Sequence, residues 1–583
     1  MDGIYAMSTE VLDLPPATLL ATGPTKPESS TEVIKKASRG LRGTLAESLA
    51  DPLTGAIRES DTQLIKFHGS YMQDDRDIRA EREHQKLEPA YSFMIRTRLP
   101  GGVVTPKQWL ALTKIARDYG VGSLRLTTRQ AFQIHGVIKK HVKQTMQAMN
   151  AALIDSISAC GDVNRNVMAS VNPVESRLHQ EVHQLAIKVS EHLKPKTRAY
   201  HEIWLDGEKL VGPAEEEPLY GPVYLPRKFK TGIVVPPHND VDVFSQDLGY
   251  IAIVEGEGES AKLVGFNLTV GGGLGASHGE PQTFPRVGDL IGFLTPDQIF
   301  KVSETVLMIQ RDYGDRSDRK HARLKYTIAD RGVEWFKGEL FKRLGYALPP
   351  PRPYQFTTQG DRFGWLQGFD GRWHLTLRIE SGRVTDRPGA PFLTGLEKIA
   401  AVHQGDFRLT PNQNLIIANV PASECMTIDR LVADHGLGKA LFSTPVRRDA
   451  LACVALPTCA LAMAESERYL PDFVDKLEGL LAKHGLRDIP LTLRITGCPN
   501  GCARPYLAEI ALIGRAPGRY ALRLGADAVG SRLNVLYRDN IDEASIVTAL
   551  DELICRYAAE KQGGERFGDF LWRVNALTAE KRA

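Results

Sequence analysis

The chain has 583 residues, 42 % of them hydrophobic and 25 % charged, with 73 Lys plus Arg set against 70 Asp plus Glu for a net charge of +3. That length implies several domains, at roughly one per 150 residues, and the near balance of charge excludes the broad basic field that nucleic acid or an acidic membrane surface would demand. No apolar run approaches the roughly 20 residues of a membrane-spanning helix, and seven cysteines, an odd number, do not read as a disulfide framework.

Residues 1–60 are poor in aromatic residues and include "LPPATLLATGPTKPESST", a Pro, Ser and Thr mixture expected to form a mobile polar arm. Asp2, Glu10 and Asp13 argue against an acid-poor transit peptide, so a cytoplasmic address is expected. Next, "LIKFHGSYMQDDRDIRAERE" passes from an apolar stretch into a charge-rich one that reads as a solvated helix.

A repeat follows. "GSLRLTTRQAFQIHGV" from Gly122 and "GDFRLTPNQNLIIANV" from Gly405 share Arg125/Arg408, Thr127/Thr410 and Gln130/Gln413 at a constant offset of 283. Upstream of each copy lies "KIA" in a helix-like stretch, preceded by the alternating patterns "FMIRTRLPGGVVT" and "HLTLRIESGRVT". Each half therefore starts strand, helix, strand, and the fold class is α+β, built of duplicated α/β modules with a cleft between halves as the favoured ligand site.

Between the copies, "KLVGFNLTVGGGLG" reads as a strand running into a Gly-rich turn without dinucleotide-binding GxGxxG spacing. "TPDQIFKVSETVLMIQRDYGDRSDRKHARLK" reads as a helix with Thr295 as N-cap and Pro296 in its first turn. Its basic end, with Arg311, Arg316, Arg319 and Lys320, is either a solvated tail or a set of cations converging on an anion.

Four cysteines fall close together near the C-terminus, as C-x5-C (Cys453, Cys459) and C-x3-C (Cys498, Cys502). Each pair sits at a turn marked by Pro457 or by Pro499 and Gly501, where backbone can curl so that both thiolates face one point. The spacings are wider than the tight pairs of structural zinc and favour a bulkier iron-sulfur cluster; zinc and four buried thiols are the alternatives. Cys160, Cys425 and Cys555 read as incidental thiols.

"ACVALPTC" followed by "TGCPNGC" resembles the signature of the sirohaem-dependent nitrite and sulfite reductases. The resemblance continues through "KFHGSYMQDDRDIRAER", "RLPGGVVTPKQW", "NRNVMASVNP" and "YLPRKFKTGIVVPPHND", so it covers nearly all of the chain beyond the first sixty residues. It implies ferredoxin-like modules related by a pseudo-twofold around a sirohaem and iron-sulfur centre. The expected domains are the arm over 1–60, a first ferredoxin-like module over 61–145, a first sirohaem-binding catalytic module over 146–350, a second ferredoxin-like module over 351–425, and a second catalytic module carrying the cluster over 426–583.

The same resemblance implies that Cys453, Cys459, Cys498 and Cys502 hold a 4Fe-4S cluster and that Cys502 also bridges to the sirohaem iron. It places Arg96, Arg165, Lys228 and Lys230 around the substrate, and Arg129, with Gln133 as a companion, on the sirohaem carboxylates. Lys228 and Lys230 are two apart, so on a strand they point to one face. The second copy has Asn412 where the first has Arg129, as if only one repeat kept the cofactor site.

The implied reaction is six-electron reduction of sulfite to sulfide in cysteine biosynthesis. Lys230, where nitrite-preferring relatives tend to carry Asn, tilts the expectation away from nitrite reductase. A rival of another class is a zinc-binding RNA-binding protein, which explains the cysteines but not the duplication. No flavin or nicotinamide fingerprint is present, so electrons are expected from an alpha subunit, a flavoprotein with FAD and FMN that oxidises NADPH, docked partly on the N-terminal arm.

Overall fold

The repeated segments fold as expected and then do something that their sequences do not announce. In a computed structural model that describes residues 27–171, 174, 176–207, 217–256 and 260–577, strands Ser70–Asp74, Tyr91–Arg96, Phe132–Val137 and Leu124–Leu126 form one antiparallel sheet in that order. Gly364–Gln367, Trp373–Leu377, Leu415–Val420 and Asp406–Leu409 form its counterpart. Each sheet is completed by a two-residue strand from the other half: Arg383–Val384 pairs with Arg125 and Leu124, and Val103–Val104 pairs with Arg408 and Phe407.

The exchange is made by paired reversals. Gly101 (φ 66°) and Gly102 (φ 74°) in one copy, and Ser381 (φ 52°) and Gly382 (φ 70°) in the other, throw the chain across. The crossing is close enough to require glycine. A Cβ on Gly102 would lie 2.8 Å from the Leu409 carbonyl oxygen, and one on Gly382 would lie 2.1 Å from that of Leu126. Swapped strands cover two sheet edges that would otherwise be open templates for pairing.

The "KIA" helices, Pro106–Tyr119 and Phe392–Val402, pack against one another across the pseudo-twofold. A capping box between Thr105 and Gln108, with Pro106 in the first turn, fixes where the first begins. Its Trp109 is fully buried, stacked on Phe407 of the other half at 4.7 Å between centroids and edge-on to Phe132 at 5.5 Å.

Two further five-stranded sheets repeat one topology. Met168–Ala169, Thr231–Val234 and Leu248–Glu255 run parallel, with Lys262–Val270 and Asp289–Leu294 added antiparallel. Leu451–Ala452, Leu493–Thr496 and Ile510–Ala516 run parallel, with Arg519–Leu524 and Val535–Ile541 added antiparallel. One apolar core runs from Leu41 to Leu437 through both ferredoxin-like halves and the first of these sheets; the second sheet has its own, from Val446 to Leu577. Strand exchange therefore fuses the modules expected at 61–145 and 351–425 into one block.

Two expectations are corrected. Residues 1–26 of the expected arm lie outside the described residues, but the rest is not an arm: helices Ser30–Ala37, Leu45–Ala50 and Glu59–Leu64 dock on the body, with Leu41 and Leu45 in the main core. The polar composition misleads because this segment buries charges as well as apolar groups. Asp61, fully buried, accepts from the Thr44 amide at 3.1 Å and hydroxyl at 2.7 Å.

The basic end of the helix that begins after Thr295 does not converge on a ligand site. Arg311 donates to the Leu219 carbonyl at 2.8 Å, Arg316 pairs with Glu32 at 2.5 Å, Arg319 with Asp162 at 2.7 Å, and Lys320 with Glu280. Helix Arg79–His84 buries none of its residues, as its charge predicts. Among the described residues no helix is long and apolar enough to cross a membrane.

Candidate active site

The Cys453–Cys459 loop leaves the short strand Leu451–Ala452, and the Cys498–Cys502 turn leaves its parallel neighbour Leu493–Thr496, so parallel pairing brings both loops to one end of the sheet. The first is held by Arg76, which donates to the Cys459 carbonyl at 3.1 Å, and by the Gly497 amide, which donates to Cys453 Sγ at 3.3 Å. The second is buttressed by the Gly-rich turn after Lys262–Val270: the Ala276 amide donates to the Pro499 carbonyl at 3.0 Å.

Burial and the nearby Cys502 push the Cys453 and Cys498 thiols up to about 12, and burial raises Cys459 as well. Yet among the described residues no three His, Cys, Asp or Glu side chains are close enough to hold one metal ion. Four thiols brought by two loops to one end of the sheet are the donor set that a 4Fe-4S cluster takes. Binding there would have to displace the thiol protons.

Cations gather near Cys502. The Lys230 ammonium is close enough to Cys502 for their charges to interact; burial together with Arg129 and Arg323 lowers it to about 7. Burial and its neighbours Arg227, Lys230, Arg165 and Arg323 drive Lys228 well below the usual lysine range. Both lysines precede the strand Thr231–Val234 and flank Phe229, which is fully buried, so the predicted alternation survives outside a regular strand: Phe229 enters the core and the lysines stay partly accessible.

Arg165 is anchored by donation to the Gly161 carbonyl at 3.0 Å and reaches the Tyr71 hydroxyl at 3.5 Å. Arg96 ends its strand, donates to Cys160 Sγ at 3.2 Å and lies 5.9 Å from the centre of the Tyr71 ring. Arg129 donates to Gln246 Oε1 at 2.9 Å and to the Thr231 carbonyl at 3.0 Å, and burial lowers it to about 9. Gln133 is paired in register with Arg96. Arg96 and Arg165 thus meet at Tyr71, and Arg165 is close enough to Lys228, and Arg129 to Lys230, for their charges to interact.

Around Lys228 and Lys230 cations outnumber anions. Among the described residues the buried nitrogens Arg96 Nε, Arg129 Nε, Arg323 Nε and Arg504 Nη1 have no hydrogen-bond partner. The buried carboxylate of Asp247 accepts through Oδ2 from Arg323 at 2.7 Å and from the Lys230 amide at 3.0 Å, and among the described residues its Oδ1 has no partner. Buried polar atoms are nearly always satisfied, and buried like charges repel unless an opposite charge joins them. A polyanionic cofactor and an anionic substrate fit that deficit. In the second copy Asn412 replaces Arg129 and is saturated by Asp361 and Arg504, so no such demand exists there.

Several site residues escaped the sequence. Tyr71 and Cys160 sit between Arg96 and Arg165, and Cys160 is not incidental in position although it lacks a cysteine partner. Arg323 and Lys325 lie in the basic segment already noted, but they turn inward where the four expected cations turn to protein partners; Lys325 donates to the Gly275 carbonyl at 2.6 Å. The only signal was the alternation in "RLK", which has no meaning without knowing which face is inside.

The ferredoxin-like half domain of nitrite and sulfite reductases matches residues 84–152 and again 367–435, and the nitrite and sulphite reductase 4Fe-4S domain matches residues 187–348. Over 549 residues, 94 % of this chain and 97 % of the relative, the chain is 61 % identical to the sulfite reductase (NADPH) hemoprotein beta-component of Myxococcus xanthus. The chain belongs to the nitrite and sulfite reductase family. The protein so named from Geobacillus kaustophilus is 57 % identical over 95 % of this chain and 97 % of its own. A solved structure, the Mycobacterium tuberculosis NirA protein, has the same fold, with a TM-score of 0.76 at 24 % identity over 94 % of this chain and 97 % of that one. The family's 4Fe-4S match at 187–348 contains no cysteine; all four of the paired cysteines stand in loops that leave the second of the two sheets.

Proposed function

We propose that the chain reduces sulfite to sulfide, adding six electrons and releasing three oxygens as water, at a sirohaem beside a 4Fe-4S cluster, in the assimilation of sulfur into cysteine. The observation that carries this reading is the excess of buried positive charge near Cys502. Relatives 57–61 % identical over at least 94 % of this chain are named for the same activity. Cys453, Cys459, Cys498 and Cys502 would hold the cluster, and Cys502, Arg129, Gln133 and Arg323 would hold the sirohaem. When bound, these groups supply electrons one at a time, which no side chain does reversibly.

The chain's own part is to hold an oxyanion and feed it protons. Arg96, Arg165, Lys228 and Lys230 would grip the sulfite oxygens through charge-assisted hydrogen bonds, and the same donors stabilise each oxygen as negative charge builds on it and it leaves. Lys230, at about 7 before an anion arrives, regains its full charge next to a dianion, so substrate capture takes up a proton where it will be used. Electrons would come from a flavoprotein that oxidises NADPH.

An absorption spectrum of the purified holoenzyme with and without sulfite, with metal analysis, tests this. Haem-like bands that shift on adding sulfite, together with iron and acid-labile sulfide, are expected. One zinc per chain and no visible colour would overturn the assignment.

A further inference from the structure

The loops that carry the anion pocket lie side by side. The Leu225 amide donates to the Asp162 carbonyl at 3.1 Å, the Phe229 amide to the Val163 carbonyl at 3.0 Å, and the Arg165 amide to the Phe229 carbonyl at 2.9 Å. Arg165, Lys228 and Lys230 stand at one end of this ladder. At the other end, Asp162 and Leu225 meet a side chain from the N-terminal helix Ser30–Ala37.

That side chain is Lys35, which has no exposed surface. Its ammonium donates to the Leu225 carbonyl at 2.8 Å, pairs with Glu32, and lies 3.7 Å from Asp162 Oδ2. Glu32 is in turn held by Arg316, which also donates to the Tyr224 carbonyl at 2.7 Å. Arg319 grips both oxygens of Asp162, at 2.7 and 2.9 Å, and reaches the Pro226 carbonyl at 3.3 Å. Apart from the two ion pairs made by Glu32, these links end on residue 162 or on residues 224–226, two to four positions from a pocket cation in each strand of the ladder.

An ammonium has three donors; here the Leu225 carbonyl and Glu32 accept from it, and the Asp162 carboxylate stands within ion-pair reach. A buried cation so placed fixes distances that a packed methyl group would leave slack, because moving any acceptor leaves a buried charge unsatisfied. Lys35 also lies outside all three segments matched by the family's domains, which begin at residue 84.

We propose that Lys35 is a positioning residue for the sulfite pocket: by clamping Asp162 to Leu225 it sets the spacing of Arg165 against Lys228 and Lys230. The inference rests on the sulfite reading above. A merely structural lysine would lower stability and leave the pocket of the folded enzyme unchanged.

The test uses holoenzyme of Lys35→Met and Glu32→Gln at full cofactor content, with sulfite affinity read from the visible spectrum and carbon monoxide, a neutral haem ligand that needs no cations, as the comparison. Lys35→Met is expected to weaken sulfite binding about tenfold and raise KM with a small artificial donor to match, and Glu32→Gln about threefold, with carbon monoxide affinity unchanged. Sulfite affinity equal to wild type in both variants, or equal losses for both ligands, would overturn the proposal. If Lys35→Met does not assemble, Glu32→Gln decides alone. A wild-type enzyme whose spectrum ignores sulfite would refute the function instead.

Discussion

The Thr128 hydroxyl donates to the Cys502 carbonyl at 2.9 Å, joining residues 374 apart in sequence. One belongs to the turn that presents Arg129, the other to the turn that presents the last of the four paired cysteines, so this hydrogen bond ties the first repeat to the Cys498–Cys502 turn. Thr128→Val keeps the shape and removes the donor, at a cost of about 1 kcal/mol. Iron and acid-labile sulfide content are expected to stay at wild-type levels, because all four thiols remain, while turnover with an artificial donor falls several-fold. Unchanged turnover would mean that the bond is incidental.

Lys230→Asn exchanges a cation for a neutral donor. Hydrogen bonds to charged groups are worth about 1.5–3 kcal/mol, so kcat/KM for sulfite is expected to fall about 10- to 100-fold, and that for nitrite, a monoanion, by less. Steady-state assays on both substrates decide it: equal losses would remove Lys230 from the account of specificity.

The buried cations make stability depend on pH. Burial lowers Lys230 to about 7, Lys325 to about 6 and Arg129 to about 9, all below their unfolded values. A depressed base means that the unfolded chain binds more protons, so the cofactor-free protein is destabilised at low pH and recovers as pH rises through the window above about 6. Each such group contributes up to about 1.4 kcal/mol per pH unit between its folded and unfolded values. Urea melts at pH 6 and pH 9 are expected to show the cofactor-free protein more stable at pH 9, and the holoenzyme less sensitive because anions then balance the cations. A flat profile without cofactor would show that the cations are neutralised by some other route.

Trp109 joins the two halves through Phe407. Trp109→Ala removes a fully buried ring and is expected to cost about 3–5 kcal/mol. Because one core runs through both halves, a single cooperative loss is expected for them in denaturant. Separate transitions for the two ferredoxin-like halves would contradict the shared core.

Lys35 changes what a truncation reports. Removing residues 1–50 takes away the Lys35 clamp along with any docking surface, so activity with a small artificial donor is expected to fall as well as NADPH-driven activity. Loss of the NADPH-driven reaction alone would return the segment to the role of a docking arm.

The sequence by itself determined the local pieces. Period-two runs such as "FMIRTR" read as strands, Thr295 and Pro296 as a helix start, and C-x5-C with C-x3-C at Pro and Gly turns as loops able to gather thiolates, because these signals depend only on near neighbours; the offset of 283 between the copies revealed the duplication of an α/β module. Tertiary structure alone decided which half receives which edge strand, since Val103–Val104 looks the same whether it pairs within its own copy or with Phe407 and Arg408. It alone separated cations with partners from cations without: Arg319 and Lys230 are equally basic in sequence, but one faces Asp162 and the other stands near Cys502. A charge acquires its role from the opposite charges around it, and in a folded chain those come from segments hundreds of residues away.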